Sequence, residues 1–142
     1  MHILEIMKSH PGSSTETAVP LVQAIEACFD CAQTSVACAD ACLAHSHPAE
    51  LARCIRINGE TSDIAAVTGR LLSRRLPSNP MIWQRQLEAC AVAARMCADE
   101  CDKHAEAHDH CRVAAEACRK CAAACEALLA TPDYRPNSDR AA

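Results

Sequence analysis

The stretch CRVAAEACRKCAAAC, residues Cys111 to Cys125, decides how this chain must fold. Its cysteines, Cys111, Cys118, Cys121 and Cys125, are separated by steps of seven, three and four. Each residue of an α-helix turns by about 100°, so those steps hold the side chains on one stripe. The intervening Ala, Glu, Arg and Lys favour helix, and neither Gly nor Pro interrupts them. The segment therefore predicts a helix that presents a row of thiols to whatever it packs against.

The same spacing recurs upstream. A long helix is predicted from Thr17, with Pro20 in its first turn, where the missing N–H is tolerated. Its seam runs Leu21, Ala24, Cys28, Cys31, Ser35, Cys38, Cys42 and His45. Pro48 opens a second helix to about Arg75, with seam residues Cys54, Ile57, Thr61, Ile64, Thr68 and Leu71. The run Leu76-Pro77-Ser78-Asn79-Pro80 breaks the chain, and Asn79 caps a third helix that Pro80 starts. The third seam is Trp83, Leu87, Cys90, Ala94, Cys97, Cys101, His104 and His108. The opening stretch supplies the fourth helix, which ends by Thr131–Pro132. Cys31, Cys38, Cys42 and His45 reappear 59 residues later as Cys90, Cys97, Cys101 and His104, so the chain reads as two related helical hairpins. The expected fold is all-α: an antiparallel up-down-up-down four-helix bundle over residues 17–131. A loosely attached arm with a short helix precedes it at 1–16, and a polar, mobile tail follows at 132–142.

Composition agrees. The chain has 142 residues, enough for one domain; 50% are apolar but only 2% aromatic, so Ala and Cys must fill the core. Ala buries little area, which leaves room for something other than hydrophobic burial to stabilise the bundle. A net charge of −4 gives no reason to expect nucleic acid. No run approaches the roughly 18 apolar residues that cross a bilayer, so no membrane association is expected. The first residues lack the basic start and long apolar region of a secretory leader. A cytoplasmic location follows for the sequence as it begins, where structural disulfides are rare and the thiols stay reduced.

Twelve cysteines in register admit several chemistries. Zinc prefers closed tetrahedral sets on knuckle turns, whereas both CxxC pairs here, Cys28–Cys31 and Cys118–Cys121, lie inside helices. Iron–sulfur spacing, CxxCH and the Glu-x-x-His of di-iron bundles are missing. Cu(I) accepts two or three thiolates without a fixed fourth ligand, so a long thiol row suits many such ions. Three other readings stand beside it: buried thiols acting as small hydrophobes in a structural adaptor, intrahelical disulfides, and a thiol redox protein or metal sensor. No nucleophile–base pair or phosphate loop points to an enzyme.

CFDCAQTSVACADACLAH, CAVAARMCADECDKHAEAHDHC and CRKCAAAC together resemble the cytosolic branch of the bacterial copper storage proteins, over residues 17 to 130. The resemblance implies a four-helix bundle, assembled as a homo-oligomer and often a tetramer, holding many Cu(I) ions on core cysteines. Matched residue by residue, the ligands are Cys28, Cys31, Cys38, Cys42, Cys54, Cys90, Cys97, Cys101, Cys111, Cys118, Cys121 and Cys125. It leaves the copper donor open, a copper chaperone included. Only Cys54 lies on the second helix, so copper is expected against the other three, with Ile57, Ile64 and Leu71 as a dry wall. The first and third helices end at His45 and His104, while the second and fourth begin near His47, His108 and His110. Those five imidazoles should crowd one mouth of the bundle. Helix capping accounts for His45 and His104 but not for the three at N-termini, where positive charge is disfavoured; copper admission accounts for all five.

Overall fold

A computed structural model describes residues 2–11, 19–74 and 79–131. Among the described residues there are five α-helices: α1 (Ile3–Lys8), α2 (Val19–Leu43), α3 (Ala52–Leu72), α4 (Pro80–Asp102) and α5 (Asp109–Ala130). The last four make the expected bundle, α2 packing on α3 and α5, and α4 on α3 and α5. Expected starts at Thr17 and ends at Arg75 lie outside the described residues.

Local chemistry sets the helix ends. Met81 N donates to the Asn79 side chain at 2.9 Å, and Pro80 occupies the first turn, where no backbone donor is needed. Pro48 begins a 3₁₀ turn (Pro48–Leu51) instead of the α-helix itself, which starts four residues later at Ala52. The third bundle helix stops at Asp102, two residues short of the expected end at His104. Lys103–Ala107 turns the chain, and His108 takes the cap position of α5 in extended conformation.

The core is a column of small side chains closed at one end by large ones. All twelve cysteines are buried. At the start of α2 and α4 and the end of α3 and α5, Leu21, Ile25, Leu72, Trp83, Leu87 and Leu128 fill the interior. α1 adds Ile3 and Met7 to the same continuous core.

One stripe differs from its expected course. On α3 the inward positions are Cys54, Asn58, Thr61, Ala65, Thr68 and Leu72, while Ile64 and Leu71 are only half-buried. The helix is rolled toward α2. Ser62 Oγ donates to Ala32 O at 2.8 Å, and a Cβ on Gly69 would stand only 3.0 Å from the Phe29 ring, so glycine is what allows the approach. The roll leaves a groove of about 470 Å³ between α3 and α4, lined by Ile57, Ile64, Val92 and Met96 among others.

Candidate metal centre

Because α2 and α4 run one way and α3 and α5 the other, their thiol stripes meet along the bundle axis. Two four-sulfur sets result. The deep set is Cys28, Cys90, Cys121 and Cys125; the mouth-side set is Cys38, Cys42, Cys54 and Cys111. Within each, all sulfurs lie within 4.8 Å of one another. Closest approaches include 3.8 Å for Cys90–Cys121, 3.9 Å for both Cys28–Cys121 and Cys28–Cys125, and 4.0 Å for Cys42–Cys111. With metal–thiolate bonds near 2.3 Å, two sulfurs flanking one soft ion stand about 4.6 Å apart or less. These spacings therefore need only small side-chain movements to hold such an ion.

The remaining four thiols connect the sets. Cys101 approaches Cys54 at 3.8 Å and Cys118 approaches Cys31 at 3.7 Å, while Cys97 interacts with Cys101 and Cys118. Crowded, buried thiols resist ionising together. Burial, reinforced by Cys42, pushes Cys111 up to about 11. Hydrogen bonding to Cys101 and to Cys54 raises Cys38, and hydrogen bonding to Cys125 and to Cys28 raises Cys121. Cys118 is the opposite case: hydrogen bonds from Cys31 and Cys97 bring it down to about 4. Cys90 and Cys101 are shifted in the same direction by their thiol neighbours, so these three are the thiols that give up a proton most readily to an incoming soft cation.

Asn58 escaped the sequence reading, although it lies four residues after Cys54 on the same stripe. Fully buried, its Nδ2 donates to Cys54 O at 2.9 Å and to the sulfurs of Cys101 and Cys54 at 3.2 and 3.4 Å. Its Oδ1 has no partner. A buried carbonyl oxygen left bare costs free energy unless something else needs it. The Nδ2 of the same amide reaches the Cys54 and Cys101 sulfurs, so the unpartnered oxygen belongs to a side chain already within reach of an ion held there.

The structure divides the five mouth histidines. His45, His108 and His110 bring their ring nitrogens within 4.8 Å of one another, with His45 Nε2 2.9 Å from His110 Nε2. His110 joins this trio to the thiols: its Nδ1 is 3.5 Å from the sulfurs of Cys38 and Cys111. Burial, then the neighbouring His45 and His108, hold its imidazole below the ordinary value, which favours the neutral, metal-binding form. His104 stands apart, its Nε2 3.4 Å from Glu100 Oε1. Glu100, also missed, is a buried carboxylate that accepts from Lys103 Nζ at 2.8 Å and Arg53 Nε at 3.0 Å. His47 is exposed and meets Ser46 Oγ at 3.0 Å, outside the trio.

Comparison with known proteins agrees with this geometry. A family model described as "Copper storage protein" matches residues 18–130. The copper storage protein Ccsp of Streptomyces lividans, loaded with 10 copper equivalents, superposes with a TM-score of 0.85 and 38% identity, covering 90% of this chain and 98% of that one. The five-copper structure of the Streptomyces lividans protein, described as cytosolic, gives a TM-score of 0.77 and 44% identity over 79% of this chain and 93% of that one. The Cu(I)-bound copper storage protein BsCsp3 gives a TM-score of 0.68 and 34% identity over 75% and 95%.

Proposed function

This chain belongs to the copper storage protein family, and on that premise we propose that it takes Cu(I) through the histidine mouth and holds it on the twelve core cysteines. The observation that carries the assignment is the pair of four-sulfur sets, joined by four further thiols into one buried column. Soft thiolates select Cu(I) over harder divalent ions, and the ion's low coordination demand lets each sulfur bridge two ions. His45, His108 and His110 receive the metal, while His104 stays outside the trio against Glu100; His110 passes it to Cys38, Cys42 and Cys111. Asn58 Oδ1 supports the mouth-side set as an oxygen donor. Once bound, copper replaces thiol protons and ties four Ala-rich helices together.

The role is storage, without catalysis. The cytosolic description of the Streptomyces lividans protein supports a cytoplasmic site of action, and no helix among the described residues is long and apolar enough to cross a membrane. Self-association is supported by the open groove between α3 and α4, where Val92 and Met96 are exposed. A copper chaperone is a fitting donor, since free Cu(I) is scarce beside competing thiols.

Anaerobic titration with Cu(I) against a competing chelator, followed by metal analysis, tests the assignment. Two thiolates per ion and two ions per thiolate give about one ion per cysteine, or roughly 12 per chain. Saturation at one or two ions would replace storage with a sensor or carrier role.

A further inference from the structure

The sulfur column has a narrow point, and an oxygen sits there. On α2 the steps Cys28, Cys31, Ser35, Cys38, Cys42 place Ser35 where a thiol would complete the row. Its equivalent in the second hairpin, 59 residues on, is Ala94, which also carries no thiol. The two helices are parallel, so both gaps fall at one height, between the deep and the mouth-side sets. Ser35 and Ala94 are both fully buried.

At that height Cys118 is what links the levels. It lies 3.7 Å from Cys31 on the deep side and interacts with Cys97 on the mouth side. The Ser35 hydroxyl lies 3.6 Å from Cys118 Sγ and 3.9 Å from Cys31 Sγ. Buried helical hydroxyls often turn back to the carbonyl four residues earlier, as Thr68 does to Ile64 O at 2.7 Å. Ser35 instead directs its oxygen onto the two sulfurs. Cu(I) moves between buried sites by exchanging one bridging thiolate for a neighbouring one, and a hydroxyl, which stays protonated, cannot bridge two ions as a thiolate does.

We propose that Ser35 divides the store into a mouth-side and a deep compartment, leaving Cys118 as the single-file crossing by which Cu(I) passes between them. The proposal rests on the storage reading above. Filling should therefore be biphasic: the mouth-side thiols load quickly, and the deep ones load through one sulfur.

Stopped-flow absorbance of the copper–thiolate chromophore, on the full chain under anaerobic conditions with excess Cu(I), tests this. The parent should show a fast and a slow phase, and a Cys90→Ala, Cys125→Ala variant should lose most of the slow amplitude. Ser35→Cys supplies a second thiol at the crossing. It should speed the slow phase severalfold and raise capacity by about one ion. Ala94→Cys, on the opposite wall, should do the same and serves if Ser35→Cys fails to fold, which the copper-free unfolding midpoint reports. Ser35→Ala should keep the slow phase and the parent's capacity. Capacity raised in both cysteine variants with the slow phase unmoved would overturn the division, as would single-phase loading of the parent. Saturation of the parent at one or two ions would instead overturn the storage reading itself.

Discussion

Asn58→Leu separates a residue kept for the metal from one kept for the fold. In the copper-free protein the Asn58 amide has two opposing effects. Its Nδ2 makes a 2.9 Å hydrogen bond to Cys54 O, worth about 0.5–1.5 kcal/mol net, with weaker contacts to two sulfurs. Its unpartnered Oδ1 costs about 1–3 kcal/mol. Leucine has nearly the same shape and removes both effects, while Cys54 O retains its own helical partner. The sum is close to cancellation, so copper-free Asn58→Leu should unfold in urea within about 1 kcal/mol of the parent, or above it. Copper binding should suffer nonetheless. Total capacity should stay near one ion per cysteine, while the fraction at the mouth that a chelator removes most readily should grow. Equilibrium unfolding with reductant present, and Cu(I) titration of the same preparation, measure the two sides. A loss of more than about 3 kcal/mol with the mouth fraction held as tightly as in the parent would refute the reasoning and make Asn58 a structural strut.

Replacing His45, His104 and His108 with Ala should slow copper uptake and leave final capacity close to unchanged; replacing Cys118, Cys121 and Cys125 should cut capacity while sparing the initial rate. Equal loss of rate and capacity in the histidine variant would mean that those imidazoles are storage ligands. The two helical glycines should respond in opposite directions. Gly59→Ala meets nothing within 4 Å and should stabilise by up to about 1 kcal/mol, whereas Gly69→Ala drives a methyl to 3.0–3.2 Å from the Phe29 ring and should lose up to about 2 kcal/mol, both read by urea unfolding. Copper affinity should fall with pH. Cys111, held up at about 11, must release a proton to bind Cu(I), so the apparent constant should drop about tenfold per unit of acidification for each proton displaced, and a flat profile between pH 8 and pH 6 would contradict neutral resting thiols.

The spacing of Cys28, Cys31, Cys38 and Cys42 sufficed to read both a helix and its inward face, because a thiol stripe marks the core as plainly as a leucine stripe. The break at Leu76–Pro80 and the cap at Asn79 were legible because they are local chemistry. The roll of α3 was not. It depends on Gly69 meeting Phe29 and Ser62 meeting Ala32 O, pairs 40 and 30 residues apart in the chain. With that roll went the inward turn of Asn58 and the half-buried position of Ile64 and Leu71, two of the three residues expected as a dry wall on that helix; Ile57 stays buried. The mouth was legible only as a crowd of histidines. Which of them gather was settled by where α4 stops: ending at Asp102 puts His104 in the turn beside Glu100 and frees His108 to join His45 and His110. Helix ends of that kind are set by a few backbone angles that composition does not reveal.

The plug of Leu21, Leu72, Trp83 and Leu128, backed by Met7 from α1, makes the column a blind shaft. A blind shaft has an order of withdrawal. Atoms that have had time to pass to the bottom would leave last, and those deposited last would leave first, so old and new copper would not mix freely. If a chain is filled with one stable isotope to half its capacity and then topped up with another, the second isotope should dominate the first atoms surrendered to a chelator. A cell drawing lightly on such a reserve would turn over only its uppermost layer, and the metal at the bottom would carry a memory of the first exposure.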